Sequence, residues 1–375
     1  MMEGIALALF FCLCFAIISK KFNFPPIPLY MLAGLILGAS GLGIVQTSEI
    51  SDFLTSLGLI FLLFTMGLEL KPSELIGRKG SFVSSGTIDL GINIMLGFFG
   101  SVLLGFPVEE AVVIACAFYI SSSAMAVASL IENRKLAAPE SETILWLMVF
   151  EDIILLFIIV FFSASGENPL ETLGMAFMVI AAFFVLVYGF KSKISALLSR
   201  DDELPLLFTF TLVLTVAGIS DIVGIPETLT AIALGTALSV TSPELLEKHA
   251  MPFRDIFLII FFVFFGISVD LSNGIPIVPV LGLSILAILS KLISGILIGK
   301  KIHGSYWSGI DIWSETTSRG EFSLAIAGYY GSPLISGTVA VMVLVTSIIG
   351  GLTGKYSKHL KKYFKKIIAG KKNPA

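Results

Sequence analysis

Charge is scarce in this sequence. Only 14% of its 375 residues are Asp, Glu, Lys or Arg, against 56% hydrophobic, and the mean hydropathy is +0.97. An ordinary globular domain carries roughly a quarter charged residues, so the composition excludes one and points to a polytopic membrane protein. Cysteine is rare, and Cys12, Cys14 and Cys116 all fall in apolar runs, which reads as small buried hydrophobes and excludes a disulfide framework. His249, His303 and His359 lie far apart in polar stretches, which leaves no histidine-based metal site; neither a resident metal nor an organic cofactor is expected. No Walker A sequence, His-Glu-x-x-His motif or nucleophile elbow occurs, so ATP-driven pumping and intramembrane hydrolysis lack support and the chain does not read as an enzyme. Gly38-Ala-Ser-Gly41-Leu-Gly43 follows an apolar helix rather than a strand and lacks dinucleotide-fingerprint spacing; it suits close packing and turns. Nothing calls for a nucleic-acid partner, whereas lipid is an obligatory one.

What the chain has instead is long apolar runs. A spanning helix needs about 20 mostly apolar residues, and by that measure there are about thirteen candidates. They cover 4–19, 27–44, 53–70, 81–104, 109–131, 142–163, 171–190, 205–220, 226–241, 254–271, 277–299, 308–330 and 334–353. Glu3 precedes the first run and Lys20 and Lys21 follow it, the reverse of a signal peptide, so it reads as a retained span. With the N-terminus outside, the inner loops collect Lys20, Lys21, Lys71, Arg78, Lys79, Arg134, Lys135, Lys191, Lys193, Arg200, Lys248, Arg254, Lys300 and Lys301, and the outer loops hold no Lys or Arg. That asymmetry predicts an outside N-terminus and a cytoplasmic C-terminus. Residues 355–375 form a basic tail whose Tyr356, Leu360, Tyr363, Phe364 and Ile367 recur at helical spacing, which predicts an amphipathic helix lying on the inner leaflet.

The chain also echoes itself at a distance of about 200 residues, an odd number of spans, which is the mark of an inverted repeat. Phe61-Leu-Leu-Phe-Thr-Met-Gly67-Leu-Glu69 is echoed by Phe261-Phe-Val-Phe-Phe-Gly266-Ile-Ser-Val-Asp270, and Ile27-Pro28 by Ile225-Pro226. Glu69 and Asp270 end their spans and read as interfacial. On this pairing the fifth span matches the twelfth, and both are interrupted by polar residues: Ser121, Ser122 and Ser123 in one, and Glu315, Thr316, Thr317, Ser318, Arg319, Gly320 and Glu321 in the other. Polar breaks at matching depth point to unwound helices around a binding site, since bare backbone survives in a bilayer only when covered by protein or lining a water cavity.

Charges at membrane depth cost roughly 2.5–3.5 kcal/mol each even on the lenient insertion scale. The sixth span keeps two, Glu151 and Asp152, and the eleventh keeps Lys291, the obvious partner for one of them. Neighbours on a helix point about 100° apart, so one acid can face a partner helix while the other faces a cavity. Such a carboxylate can hold either a proton or a small cation, which is what exchange coupling requires. Arg319 is placed to offset the carbonyl ends of broken helices, with Glu321 compensating it; Asp89 is a candidate for contact with the fifth-span break or for bonding Asn93 one turn along.

Gly67-Leu-Glu69-Leu, Ser121-Ser-Ser-Ala, Phe150-Glu151-Asp152, Lys291 and Arg319-Gly-Glu321-Phe together resemble the monovalent cation/proton antiporters of the Kef- and NapA-like branch, over nearly the whole chain. The resemblance implies an all-α, thirteen-helix fold in two inverted repeats with two crossed discontinuous helices, usually homodimeric and working by an elevator-like movement. It implies dimerisation-domain helices in 1–80 and 201–275, core helices in 81–163 and 276–354, and a linker helix in 164–200. By position Asp152 resembles the ion- and proton-binding aspartate and Lys291 the lysine that pairs with the preceding acid. That acid is aspartate, asparagine or glutamine in the family's branches, and Glu151 departs from all three while keeping the charge. No nucleotide-binding regulatory domain is expected in this chain. The expectation is therefore exchange of protons for sodium, with lithium or potassium as other passengers, across a prokaryotic inner membrane. The alternatives are a Kef-type potassium system, a cation channel, and an organic-anion transporter using Lys291 and Arg319 to bind substrate.

Overall fold

Backbone in hydrocarbon has no water to bond, so apolar runs of this length must satisfy their own amides within helices. The computed structural model describes residues 2–22, 26–69, 79–163, 169–223, 227–269 and 277–370. Among them are 15 helices: α1 Met2–Phe22, α2 Pro26–Leu37, α3 Glu49–Glu69, α4 Lys79–Leu103, α5 Val108–Tyr119, α6 Ser123–Glu132, α7 Pro139–Ser163, α8 Pro169–Leu198, α9 Leu204–Val223, α10 Glu227–Leu238, α11 Pro243–Ser268, α12 Ile277–His303, α13 Tyr306–Thr316, α14 Glu321–Tyr330 and α15 Pro333–Gly370. No strand occurs among the described residues.

Seven stretches are long and apolar enough to cross a membrane unaided: Met2–Lys21, Glu49–Leu68, Ser81–Leu103, Ala181–Leu198, Pro243–Ser268, Ile277–His303 and Pro333–His359. Other elements are too short alone. α5 and α6, of 12 and 10 residues, are about 18 and 15 Å long. Joined end to end they match a hydrocarbon core of about 30 Å. α13 and α14, of 11 and 10 residues, form a second such pair. Both interruptions fall in the polar stretches singled out in the sequence. Ser121 and Ser122 lie outside helix while Ser123 opens α6; Thr316 closes α13, and residues 317–320 are non-helical.

Several boundaries differ from the sequence expectation. α2 ends at Leu37, because the chain turns back through Gly38–Gly43 and the Ile44 and Val45 amides donate to the Leu37 carbonyl. α11 starts at Pro243 and runs through Pro252, so Lys248 and Arg254 lie on a helix rather than in a loop. The basic tail is no separate helix, because residues 355–370 continue the last apolar span as one helix. Lys135 lies in the loop between α6 and α7, as expected, and is buried there. The end of α6 explains it: the Lys135 amide donates to the Leu130 carbonyl and the Arg134 amide to the Ile131 carbonyl, with Arg134 at φ 52. That left-handed helix cap turns the chain so that Lys135 points inward. Ile225-Pro226 and Asp270 lie outside the described residues.

The described chain divides into two compact units. One comprises Met1–Leu13, Ala33–Gly77 and Asp152–Ser268; the other comprises Cys14–Leu32, Arg78–Glu151 and Val269–Ala375. In the first, the Phe61 ring on α3 packs at 5.6–6.0 Å from Phe210, Phe253 and Phe257. A Cβ on Gly67 would lie 2.5 Å from the Ile232 carbonyl, and one on Gly34 2.9 Å from the Gly266 Cα. The glycines of the sequence echo thus mark close helix crossings. The second unit contains α4, both interrupted helix pairs, α12 and α15, and holds the buried charges.

Candidate functional site

Each helix interruption leaves backbone groups without a helical partner, and buried ones must find another. Here the two non-helical segments supply one another. The Ser122 amide donates to the Ser318 carbonyl at 2.8 Å. The Ser121 hydroxyl donates to the Thr316 carbonyl at 3.0 Å and the Ser323 hydroxyl to the Ile120 carbonyl at 3.1 Å. The Ser122 hydroxyl caps α6 by accepting from the Met125 amide at 3.4 Å. Gly320 is required by space, since a Cβ there would lie 2.5 Å from the Ser122 Cβ. α15 closes the arrangement: the Ser347 hydroxyl donates to the Arg319 carbonyl at 2.7 Å, and Thr346 Oγ1 accepts from the Arg319 amide at 3.4 Å.

Arg319 is fully buried and spreads its guanidinium over carbonyls at helix ends. Nε donates to Phe118 O at 2.6 Å, and Nη1 to Thr316 O and Thr317 O at 3.2 Å each. Nη2 reaches Asn93 Oδ1 and Ala287 O at 3.4 Å each. A helix C-terminus carries partial negative charge and an N-terminus partial positive charge, so this cation sits where α5 and α13 end. The acids take the opposite ends. Glu151 accepts from the Ser121 amide, just ahead of α6, and from the Ser121 hydroxyl at 3.1 Å. Glu321, in the first turn of α14, accepts from the Ser122 hydroxyl at 3.2 Å. The hydrogen bonds of Arg319 run to carbonyls and Asn93.

Lys291 is fully buried on α12, with Tyr119 beneath it, Nζ lying 5.5 Å from the ring centroid. Its ammonium donates to Glu151 Oε1 at 2.8 Å, the partner expected from sequence, and also to Asp89 Oδ2 at 2.6 Å. Asp89 does bond Asn93 one turn along, whose amide nitrogen donates to Asp89 Oδ1 at 2.9 Å. Its other contacts cross to α12, where the Ser294 hydroxyl donates to Oδ1 at 2.7 Å and the Ser290 hydroxyl to Asn93 Oδ1 at 2.7 Å. Sequence reasoning missed Ser290 and Ser294; their spacing of four, flanking Lys291, was the available signal. Asp152 follows Glu151 on α7 and is half-buried where Glu151 is buried.

A second buried pair lies at the C-terminal ends of α6 and α13. The Lys135 ammonium pairs with Glu315 and donates to Gly354 O at 2.8 Å and to Ser357 Oγ at 2.7 Å, both on α15. Beyond it, Lys361 pairs with Asp311, and Thr143 Oγ1 lies 2.9 Å from His303 Nε2. Glu140 opens α7 ahead of its apolar run. Burial pushes its carboxyl up, but the Ser308 hydrogen bond and the His303 and Lys361 charges prevail and hold it below the usual carboxylate range.

Buried acids and cations gathered where two interrupted helices meet in an apolar, all-helical protein define a membrane ion transporter. Residues 6–356 match the sodium/hydrogen exchanger transmembrane family, and the chain belongs to it. It is 32% identical to the K+/H+ antiporter subunit KhtU of Bacillus subtilis over 95% of this chain and 93% of that one. It is 26% identical to the ammonium/H+ antiporter subunit AmhT of Alkalihalophilus pseudofirmus over 96% and 94%. The fold is similar to that of the sodium proton antiporter MjNhaP1 from Methanocaldococcus jannaschii, with a TM-score of 0.69 at 21% identity, covering 96% of this chain and 98% of that one.

Proposed function

We propose that this monovalent cation/proton antiporter exchanges K+ for protons, with Na+ and NH4+ as competing passengers, at carboxylates beside the two helix interruptions. Asp152 is the half-buried acid that alternates between proton and cation, and Glu151 is the buried acid that holds Lys291. The observation that carries the reading is the fully enclosed Asp89–Lys291–Glu151 cluster, bonded directly to the unwound Ser121. A structural ion pair needs one acid; here two acids share one lysine beside the buried Arg319, more carboxylate than such a pair requires. Sequence alone put sodium first. Similarity to a K+/H+ and an ammonium/H+ antiporter subunit moves potassium ahead, since K+ and NH4+ are close in size and Na+ is smaller.

The same reading takes α5 with α6 and α13 with α14 as the discontinuous, crossed fifth and twelfth of thirteen spans, in two inverted repeats with an outside N-terminus and a cytoplasmic C-terminus. Helices 4–6 and 11–13 move as the core against a dimerisation domain of helices 1–3 and 8–10. Ser121, Ser122, Ser123, Thr317 and Ser318 supply hydroxyls and carbonyls to the cation, while Arg319 and Glu321 fix the helix ends.

The test is proteoliposome exchange followed with a pH dye. An imposed K+, Na+ or NH4+ gradient drives proton movement in the wild type, and Asp152→Asn abolishes it. Ion current without obligatory proton exchange identifies a channel instead. Anion uptake that is indifferent to alkali ions but lost with Lys291 or Arg319 identifies an organic-anion transporter.

A further inference from the structure

Lys291 has two acids, and they are held in different ways. Glu151 is bonded to the non-helical segment through the Ser121 amide and hydroxyl. Asp89 is bonded only from regular helices. Oδ1 takes Asn93 from its own helix α4 and Ser294 from α12, leaving Oδ2 for Lys291 at 2.6 Å. Asn93 is fixed in turn, because its oxygen accepts from Ser290 and Arg319 and its nitrogen also donates to the Asp89 carbonyl at 2.8 Å. Asp89, Asn93, Ser290 and Lys291 are all fully buried and Ser294 nearly so, at 1% exposure. Asp89 is therefore a fixed partner, and Glu151 is one whose environment belongs to the unwound chain.

We propose that Asp89 is the permanent seat of Lys291: when a cation entering at Asp152 draws Glu151 off the lysine, the ammonium stays on Asp89 and keeps its own proton. This rests on the antiport reading above. A buried ammonium that loses its only counter-ion is costly and sheds its proton instead. With Nζ already 2.6 Å from Asp89 and 2.8 Å from Glu151, no rotation is needed to avoid that outcome. In the exchange step a cation enters at the carboxylates of α7, the proton that leaves comes from a carboxylic acid there, and Lys291 carries three hydrogens before and after. The charged or titratable groups facing Lys291 are Asp89 from α4, Glu151 from α7, Tyr119 from α5, and Arg319 of the α13–α14 segment, which reaches the Ala287 carbonyl one turn back on α12. α15 brings the hydroxyls of Thr346 and Ser347 to the backbone of Arg319. Asp89 is a positioning residue, and its effect is on proton stoichiometry.

The experiment is the reversal potential of exchange for the full chain in proteoliposomes, which reports protons moved per cation. Asp89→Asn leaves Lys291 with Glu151 alone, so cation entry also expels the lysine's proton and the ratio rises by about one proton per cation. Asp89→Glu restores the wild-type ratio even if turnover falls. An unchanged ratio in Asp89→Asn overturns the assignment, because a merely structural role alters the amount of active protein and not the reversal potential. Should Asp89→Asn fail to reach the membrane, Ser294→Ala removes one of the two hydrogen bonds to Oδ1 and raises the ratio in the same direction by less than one; no rise overturns the assignment equally. A wild type that moves no protons under any cation gradient defeats the antiport reading itself, a result distinct from either.

Discussion

Removing the Lys135 ammonium tests whether the C-terminal ends of α6 and α13 are held together by charge. Its three donors are all used, on Glu315, Gly354 O and Ser357 Oγ, and the two side chains are 8% and 0% exposed. Glu315 has little else: Oε1 takes the lysine, and Oε2 is buried without a hydrogen-bond partner. Lys135→Met keeps the apolar stem and deletes the charge, so the penalty is that of a buried carboxylate left alone, about 3–5 kcal/mol. At roughly 2 °C per kcal/mol for a chain of this size, the unfolding midpoint in detergent falls by roughly 6–10 °C. The companion Lys135→Met/Glu315→Leu removes both charges and recovers most of that loss, since replacing a buried pair by apolar groups is often neutral. The measurement is a double-mutant cycle on thermal unfolding, read by loss of the monodisperse chromatographic peak. A Lys135→Met protein as stable as wild type, or a double mutant whose loss is the sum of the singles, refutes this account of the strut.

Other perturbations follow from the same geometry. Lys291→Met costs more stability than Glu151→Gln, because the first leaves Asp89 and Glu151 buried without their shared cation while the second leaves Lys291 on Asp89; the expected gap is about 1–3 kcal/mol, read from the two unfolding midpoints. Gly320→Ala places a methyl 2.5 Å from the Ser122 Cβ and separates the two non-helical segments. It lowers stability by about 1–3 kcal/mol and removes cation-driven proton movement, whereas Gly91→Ala, where an added Cβ meets nothing within 4 Å, leaves both intact.

How much of this was legible follows from what each signal depends on. Length and hydropathy are one-dimensional, so most helices fell near the expected limits. The interruptions were legible because Ser121–Ser123 and Thr316–Gly320 break apolar runs with residues that favour caps over helix interiors. The Lys291–Glu151 contact was legible because a charge in hydrocarbon has few alternatives to another charge. Asp89 shows where that reasoning stops. Its partner depends on the rotation of α4 against α12, which no run of residues encodes, although Asp89 and Asn93 share the four-residue spacing of Ser290 and Ser294 and so mark facing stripes. The burial of Lys135 was hidden for a different reason. A lysine just beyond a span satisfies the positive-inside pattern whether it faces water or protein, and only the left-handed turn at Arg134 sends it inward. The tail was misread because basic amphipathic spacing is the same for a helix on the leaflet and for one prolonging a span. The distinguishing cue was a missing one: neither Pro nor Gly falls between Lys355 and Ala369 to end α15 before it has passed Lys361 to Asp311 and Ser357 to Lys135. Both cases concern α15: Lys135 donates to it after α6, and Lys361 joins it to Asp311 on α13. Displacement of α6 and α13 must therefore either carry α15 along or break the Lys361–Asp311 ion pair and the two Lys135 hydrogen bonds to α15, and Lys135→Met removes those two bonds outright.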